Sequence, residues 1–248
     1  MTFCIAMKVE QGIVALADTR ITSGSERSTA RKVSVFEHGR HSFFLMTSGL
    51  RGARDKMLTY FQDEMEEDGS RFEKLYQAVN AVAKNLRRVA SEDRQPLEES
   101  GMQFNLHCLI GGQLERDTEH KLYLLYPQGN WVEITEGTPY SLIGESSYGK
   151  PLLERSLLYN TTLETALKIG CLAFFSTRTA TTDVDFPMDV TIYPRDSFHI
   201  WQIRFEHEDL AHVNKWWQDR LRRSIDELPS EWLRPIFPLQ RPHEGKAS

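Results

Sequence analysis

The sequence predicts an α+β fold, a four-layer αββα sandwich in which two antiparallel sheets stack and helices cover both outer faces. Three observations predict it. Strand-like and helix-like segments run as strands, two helices, strands, two helices, strands and one helix. The helices come in pairs, unlike the one-for-one alternation of a doubly wound parallel sheet. The 248 residues are 40% hydrophobic, enough for a sizeable core, and no repeat, linker or low-complexity tract divides them.

The strands lead. Phe3, Ile5, Met7 and Val9 alternate with Cys4, Ala6 and Lys8, and a period of two marks a strand. Gln11-Gly12 supplies a turn, and the apolar run from Ile13 to Ala17 returns and ends at Asp18, which reads as a hairpin. Ser23 to Ser28 is polar and reads as a loop. Val33, Val35 and Phe36 restart a strand, residues 37–40 turn it, and Ser42 to Met46 returns.

Helices follow. Met57, Phe61 and Met65 fall on one face. Ser70 and Glu73 have capping-box spacing and open a second helix with a stripe of Phe72, Leu75, Val79, Val82, Leu86 and Val89. Strands are expected at 104–110, 121–126, 131–135 and 140–143. A helix over 148–158 and another opened by Thr161 and Glu164 come next, the latter burying Leu163, Ala166, Leu167, Gly170 and Phe174. Strands at 188–193 and 198–204 close the set. A last amphipathic helix carries Leu210, Val213, Trp217, Leu221 and Ile225, and the proline-containing tail after Pro229 reads as irregular. Residues 2–205 therefore form one domain. Residues 206–248 add a helix and tail, either part of that domain or an assembly element.

Composition excludes several classes. Lys+Arg is 30 and Asp+Glu is 35, so a net charge of −5 gives no support to broad nucleic-acid binding. No apolar run approaches the ~20 residues of a membrane span. Cys4, Cys108 and Cys171 form no CxxC pair and read as reduced, buried thiols. The start MTFCIAMKVE lacks the pattern of a signal peptide, so a cytoplasmic protein is expected. His207 and His212 have the wrong spacing for one helical face, and His38 and His41 sit in a polar turn, so no metal is expected. Gly111-Gly112 is not followed by GK[ST], and no G-x-S-x-G elbow occurs.

Thr2 carries the chemistry. Removal of Met1 would leave a threonine with a hydroxyl and a free α-amine, a nucleophile and a base on one residue. An α-amine with an ordinary pKa of about 7.7–8.0 is partly neutral near pH 7, which suits a general base. The hairpin would return Asp18 to the neighbourhood of Thr2, and Lys32 stands just before the third strand. A lysine there disfavours protonation of the amine and favours loss of the hydroxyl proton. Taken singly, Asp18 also reads as a turn residue and Lys32 as a solvated strand end.

The start MTFCIAMKVEQGIVALADTRIT resembles that of proteasome β-type subunits, which are N-terminal-nucleophile hydrolases. Thr2, Gly12, the run Ala17-Asp18-Thr19-Arg20-Ile21-Thr22 and Lys32 stand where that family has its motif. The Met-Thr start and the run Gly144-Glu145-Ser146-Ser147-Tyr148-Gly149-Lys150-Pro151 are most similar to the bacterial Anbu group or the related betaproteobacterial proteasome homologue. The resemblance extends over roughly residues 2–205. It implies Thr2 Oγ as nucleophile, its amine as base, Asp18 and Lys32 as the groups that orient and tune them, and Gly49 as an oxyanion donor in Thr47-Ser48-Gly49. Ser146 falls near the place of a supporting serine. Arg20 and Thr22 fall where a peptide would add as a strand, and Thr47 and Arg51 near the side-chain pocket, where an arginine would favour an acidic or polar residue. The family's R-D-x-x-S pair has no clean match in Thr179-Ala180-Thr181-Thr182-Asp183.

The resemblance further implies a ring or spiral homo-oligomer that cleaves unfolded peptides without metal or organic cofactor, with an unfoldase as a further partner. Two other readings stand beside it: an amidase for a small metabolite, and a catalytically silent assembly subunit. Trp216 and Trp217 with Arg220, Arg222 and Arg223 would either dock a neighbouring subunit or pack within the chain with a solvated basic edge.

Overall fold

The alternation at the start folds as a hairpin of β1 (Phe3–Val9) and β2 (Gly12–Asp18), every residue of which is buried. The computed structural model describes residues 2–23, 26–68, 72–233 and 235–236, the side chains of 21–23, 26–28 and 67–68 excepted. Beyond the hairpin, β3 (Arg20–Ser23) and β4 (Glu26–Thr29) pair as a separate two-stranded ribbon. The sequence read much of this segment as a loop. A ribbon outside both large sheets needs no apolar alternation, so it leaves no such pattern in the sequence. A second hairpin, β5 (Val33–His38) and β6 (His41–Gly49), leads into α1 (Arg51–Asp68) and α2 (Leu75–Glu99).

The predicted stripe of α2 holds from Leu75 to Val89, all buried, whereas Phe72 lies before the helix and packs at the margin of the same core. Ser70, half of the predicted capping box, lies outside the described residues. The cap that is described uses Gln77, whose Oε1 accepts from the N–H groups of Glu73 at 2.7 Å and Lys74 at 3.0 Å.

Strands β7 (Leu106–Gln113), β8 (Lys121–Leu125) and β9 (Trp131–Glu133) complete one antiparallel sheet in the order β5-β6-β7-β8-β9. Then come β10 (Tyr140–Gly144), α3 (Lys150–Ser156), α4 (Leu163–Ala180), β11 (Met188–Pro194) and β12 (Trp201–Phe205). The other sheet runs β10-β1-β2-β11-β12, also antiparallel. Thr162, not Thr161, caps α4: its hydroxyl accepts from the Thr165 N–H at 3.2 Å, while Thr161 Oγ1 accepts from Leu158 N–H at 3.0 Å.

The sheets stack through Cys4, Ala6, Ala15 and Ala17 on one side and Phe44, Met46, Leu109 and Leu122 on the other. Small residues in the first sheet meet large ones in the second, so the two layers interlock. The outer face of the second sheet is covered by α1 and α2 through Met57, Phe61, Val79, Val82 and Leu86. The outer face of the first is covered by α4, where Phe174 meets Phe3 edge-on at 5.9 Å. Both outer faces of the stacked sheets thus carry helices, as predicted.

Two compact units are distinguished, residues 1–210 and 211–248. The sandwich is the first. The second holds most of α5 (His207–Asp226) and a 3-10 turn at Glu231–Leu233. None of the residues of α5 is buried, and Trp216, Leu221 and Ile225 of its apolar face are exposed.

Candidate active site

The β1–β2 hairpin returns Asp18 beside the start of β1, where its Oδ1 accepts from the Phe3 N–H at 2.8 Å. Lys32, just before β5, reaches the same oxygen with Nζ at 2.6 Å and donates to the Arg20 carbonyl at 2.8 Å. Both side chains are buried, Asp18 completely. Burial raises the Asp18 carboxyl above the usual carboxylate range, an effect that the Lys32 ammonium and the Phe3 N–H only partly offset.

Thr2 is half-buried at the head of β1. Its carbonyl accepts from the Glu145 N–H at 2.7 Å. Gly144 stands opposite Phe3 with φ +87°, and a Cβ there would lie 1.9 Å from the Thr2 carbonyl oxygen. Gly49 ends β6 with φ +135°, where a Cβ would lie 2.0 Å from the Asn105 carbonyl oxygen. Both positions need glycine for conformation and for space.

Thr2, Lys32 and Gly49 line one cavity of about 410 Å³. Arg20, Thr47 and Arg51 line it as well, so the sequence-predicted residues converge, with Asp18 behind Lys32. Two predicted residues stand apart. Ser146 does not line the cavity: it lies in the turn after β10, where its carbonyl accepts from Lys150 N–H at 3.1 Å, and Gly144 is the lining residue from that strand. Thr22 is described by backbone alone, paired with Arg27 in the ribbon.

The sequence reading missed Arg54, Asn105 and Leu106 in the wall. Arg54 follows Arg51 by three residues on α1, a spacing that places both on one face and was legible. Asn105 and Leu106 arrive only through the pairing of Gly49 with Leu106 between β6 and β7, which no local pattern announces. Cys4 offers no rival nucleophile, because burial drives its thiol far above the ordinary range.

Arg20 also faces a second cavity of about 370 Å³, lined by Arg178, Thr181, Thr182 and Asp185. Asp185 accepts from Arg20 Nη1 at 3.1 Å and from Arg178 Nε at 2.5 Å. Partial burial would raise its carboxyl, but the arginines and the Phe186 N–H hold it below the usual range. Thr179 turns its hydroxyl back to the Phe175 carbonyl at 2.9 Å.

The family model of the proteasome subunit matches residues 2–191. The chain belongs to the proteasome subunit family. Its fold matches Anbu structures over 92% of the chain. Anbu, described as an ancestral beta-subunit, from Yersinia bercovieri is 30% identical over 92% of this chain and 97% of that one, with a TM-score of 0.83. A chain of the helical assembly of the Anbu complex from Pseudomonas aeruginosa is 30% identical over 92% of this chain and 97% of that one, with a TM-score of 0.87. A mutant Anbu from Hyphomicrobium sp. strain MC1 is 28% identical over 92% and 99%, with a TM-score of 0.85. No curated protein matches the chain. In this proteasome-family subunit, among the described residues, no cluster of His, Cys, Asp or Glu could hold a metal ion, and no helix is long and apolar enough to cross a membrane.

Proposed function

We propose that this proteasome-family subunit is an N-terminal threonine hydrolase of peptide bonds, with Thr2 as nucleophile once Met1 is removed. The observation that supports it best is the buried Asp18–Lys32 pair, hydrogen-bonded to the backbone next to Thr2 and opening on the cavity that Thr2 lines. The neutral α-amine takes the Oγ proton as Oγ attacks the substrate carbonyl. The Lys32 ammonium, held by Asp18 and the Arg20 carbonyl, favours the deprotonated forms of both groups by its charge. The Gly49 N–H donates to the developing oxyanion. The amine returns the proton to the leaving nitrogen, an ester forms on Thr2, and water then releases it.

The solved Pseudomonas aeruginosa complex is described as a helical assembly. We propose that this chain likewise self-associates, in a ring or a spiral, and acts on unfolded peptides in the cytoplasm, fed by an unfoldase. A second reading, a silent assembly subunit, draws on one observation: Thr179 bonds its own helix, and Thr181 and Thr182 line the neighbouring cavity instead of that of Thr2.

Thr2→Ala tests the enzyme reading. Hydrolysis of a fluorogenic peptide should disappear while the mass of the assembly by light scattering stays the same. Turnover near that of the parent protein would contradict the assignment.

A further inference from the structure

Strand β12 forms one edge of the first sheet. Its residues Trp201–Phe205 pair with Met188–Ile192 of β11, and among the described residues no strand pairs with its other side. Side chains alternate along a strand, so Trp201, Ile203 and Phe205 project to one face and Gln202 and Arg204 to the other. The first of these is the outer face of the sheet. Ile203 stands opposite Val190, and Val190 opposite Leu16. Leu16 lies beneath α4, where a Cβ on Gly170 would come 2.6 Å from its Cδ1. Cover ends along that row: Val190 is 1% exposed, but Ile203 is 52% and Trp201 58% exposed.

Exposed edges are ordinarily guarded by a free charge, a lysine or a proline, which keeps other strands away. β12 has no lysine and no proline, and its one charged residue is committed within its own sheet. Arg204 gives Nε and Nη2 to the two carboxylate oxygens of Asp189 at 2.7 and 2.8 Å. The edge therefore presents an unpaired backbone beside apolar side chains, the combination that accepts a further strand.

The order of residues selects that strand. WQIRF is symmetric in kind about Ile203. Two copies laid antiparallel about this residue bring Trp201 opposite Phe205, Ile203 opposite its own counterpart, and Gln202 opposite Arg204. The outer face then gains a row of apolar contacts, and the other face sets an amide against a guanidinium. Parallel pairing in register would place the two Arg204 side chains next to each other, which like charges disfavour. A slip of one residue would set the apolar side chains of one copy against the polar face of the other.

We propose that β12 pairs antiparallel with β12 of a second copy, about a two-fold axis at Ile203, and joins the two five-stranded sheets into one continuous sheet. The contact is isologous and makes a dimer the unit from which a ring or spiral grows. It names one surface of the proposed self-association and rests on that reading.

The test compares the full-length parent protein with variants on β12. Ile203→Cys places two thiols across the axis, within disulfide reach for directly opposed strand residues. Mild oxidation should link chains in pairs, whereas Gln202→Cys, which faces Arg204, should give no linked pairs. Ile203→Lys sets two ammonium groups against each other and removes two buried isoleucines. The contact should weaken about 100-fold, and light scattering at equal concentration should show a smaller assembly. Mixing Ile203→Lys with Ile203→Glu should restore the parent mass, which also shows that both variants fold. If Ile203→Lys keeps the parent mass, or if Ile203→Cys links no better than Gln202→Cys, the proposal is overturned while self-association stands. A parent protein that is monomeric at every concentration refutes both.

Discussion

The Nζ of Lys32 lies 2.6 Å from Oδ1 of Asp18, in a pair almost wholly withdrawn from water. The same oxygen accepts from the Phe3 N–H, so one carboxylate fixes both the ammonium and the backbone next to Thr2. Removing the cation leaves a buried charge without its partner. Lys32→Met should destabilise the fold by about 3–5 kcal/mol, the usual consequence of breaking a buried pair from one side. Adding Asp18→Asn should recover part of that loss without restoring turnover. Denaturant unfolding of the three proteins at equal concentration checks this, and a single variant as stable as the parent would contradict it.

Gly49 combines φ +135° with a Cβ position 2.0 Å from the Asn105 carbonyl oxygen. Gly49→Ala must move the backbone that carries the proposed oxyanion donor. Turnover should fall about 10²–10³-fold, chiefly in kcat, as when such a donor is lost elsewhere. Steady-state kinetics on one fluorogenic peptide decide it, and an unchanged kcat would remove Gly49 from the mechanism.

His120 is fully buried, with Nε2 2.8 Å from the Val9 carbonyl oxygen and, among the described residues, no partner for Nδ1. Burial pushes its pKa down to about 4. The unfolded chain, with an ordinary histidine near 6.5, therefore binds this proton first. The stability that His120 contributes is complete above pH about 6.5 and is lost as pH falls toward about 4, by roughly 3 kcal/mol at the lower end. His120→Gln should flatten the pH dependence of unfolding in that window. An identical slope in parent and variant would show that another group governs it.

The layering was legible because its signals are local. Phe3 to Ala17 alternate or run apolar, Leu75 to Val89 repeat at helical spacing, and each marks an element without reference to the rest of the chain. The core of the site was legible for a related reason: a tight hairpin fixes where Asp18 stands relative to Phe3. What stayed hidden depends on distant pairing. Asn105 reaches the cavity through the β6–β7 register, and Asp185 reaches Arg20 across 165 positions of sequence. The ribbon at 20–29 escaped because its short strands show no apolar alternation in the sequence. The choice between Thr161 and Thr162 as cap of α4 turned on a shift of one residue, which the spacing to Glu164 cannot resolve.

The central assignment meets its most direct test in mass spectrometry of protein treated with an irreversible electrophile that captures a hydroxyl and an amine on one residue. A single adduct should map to Thr2 in chains that have lost Met1, and Lys32→Met should suppress it. An adduct at another residue, or none in chains that already begin at Thr2, would contradict the account.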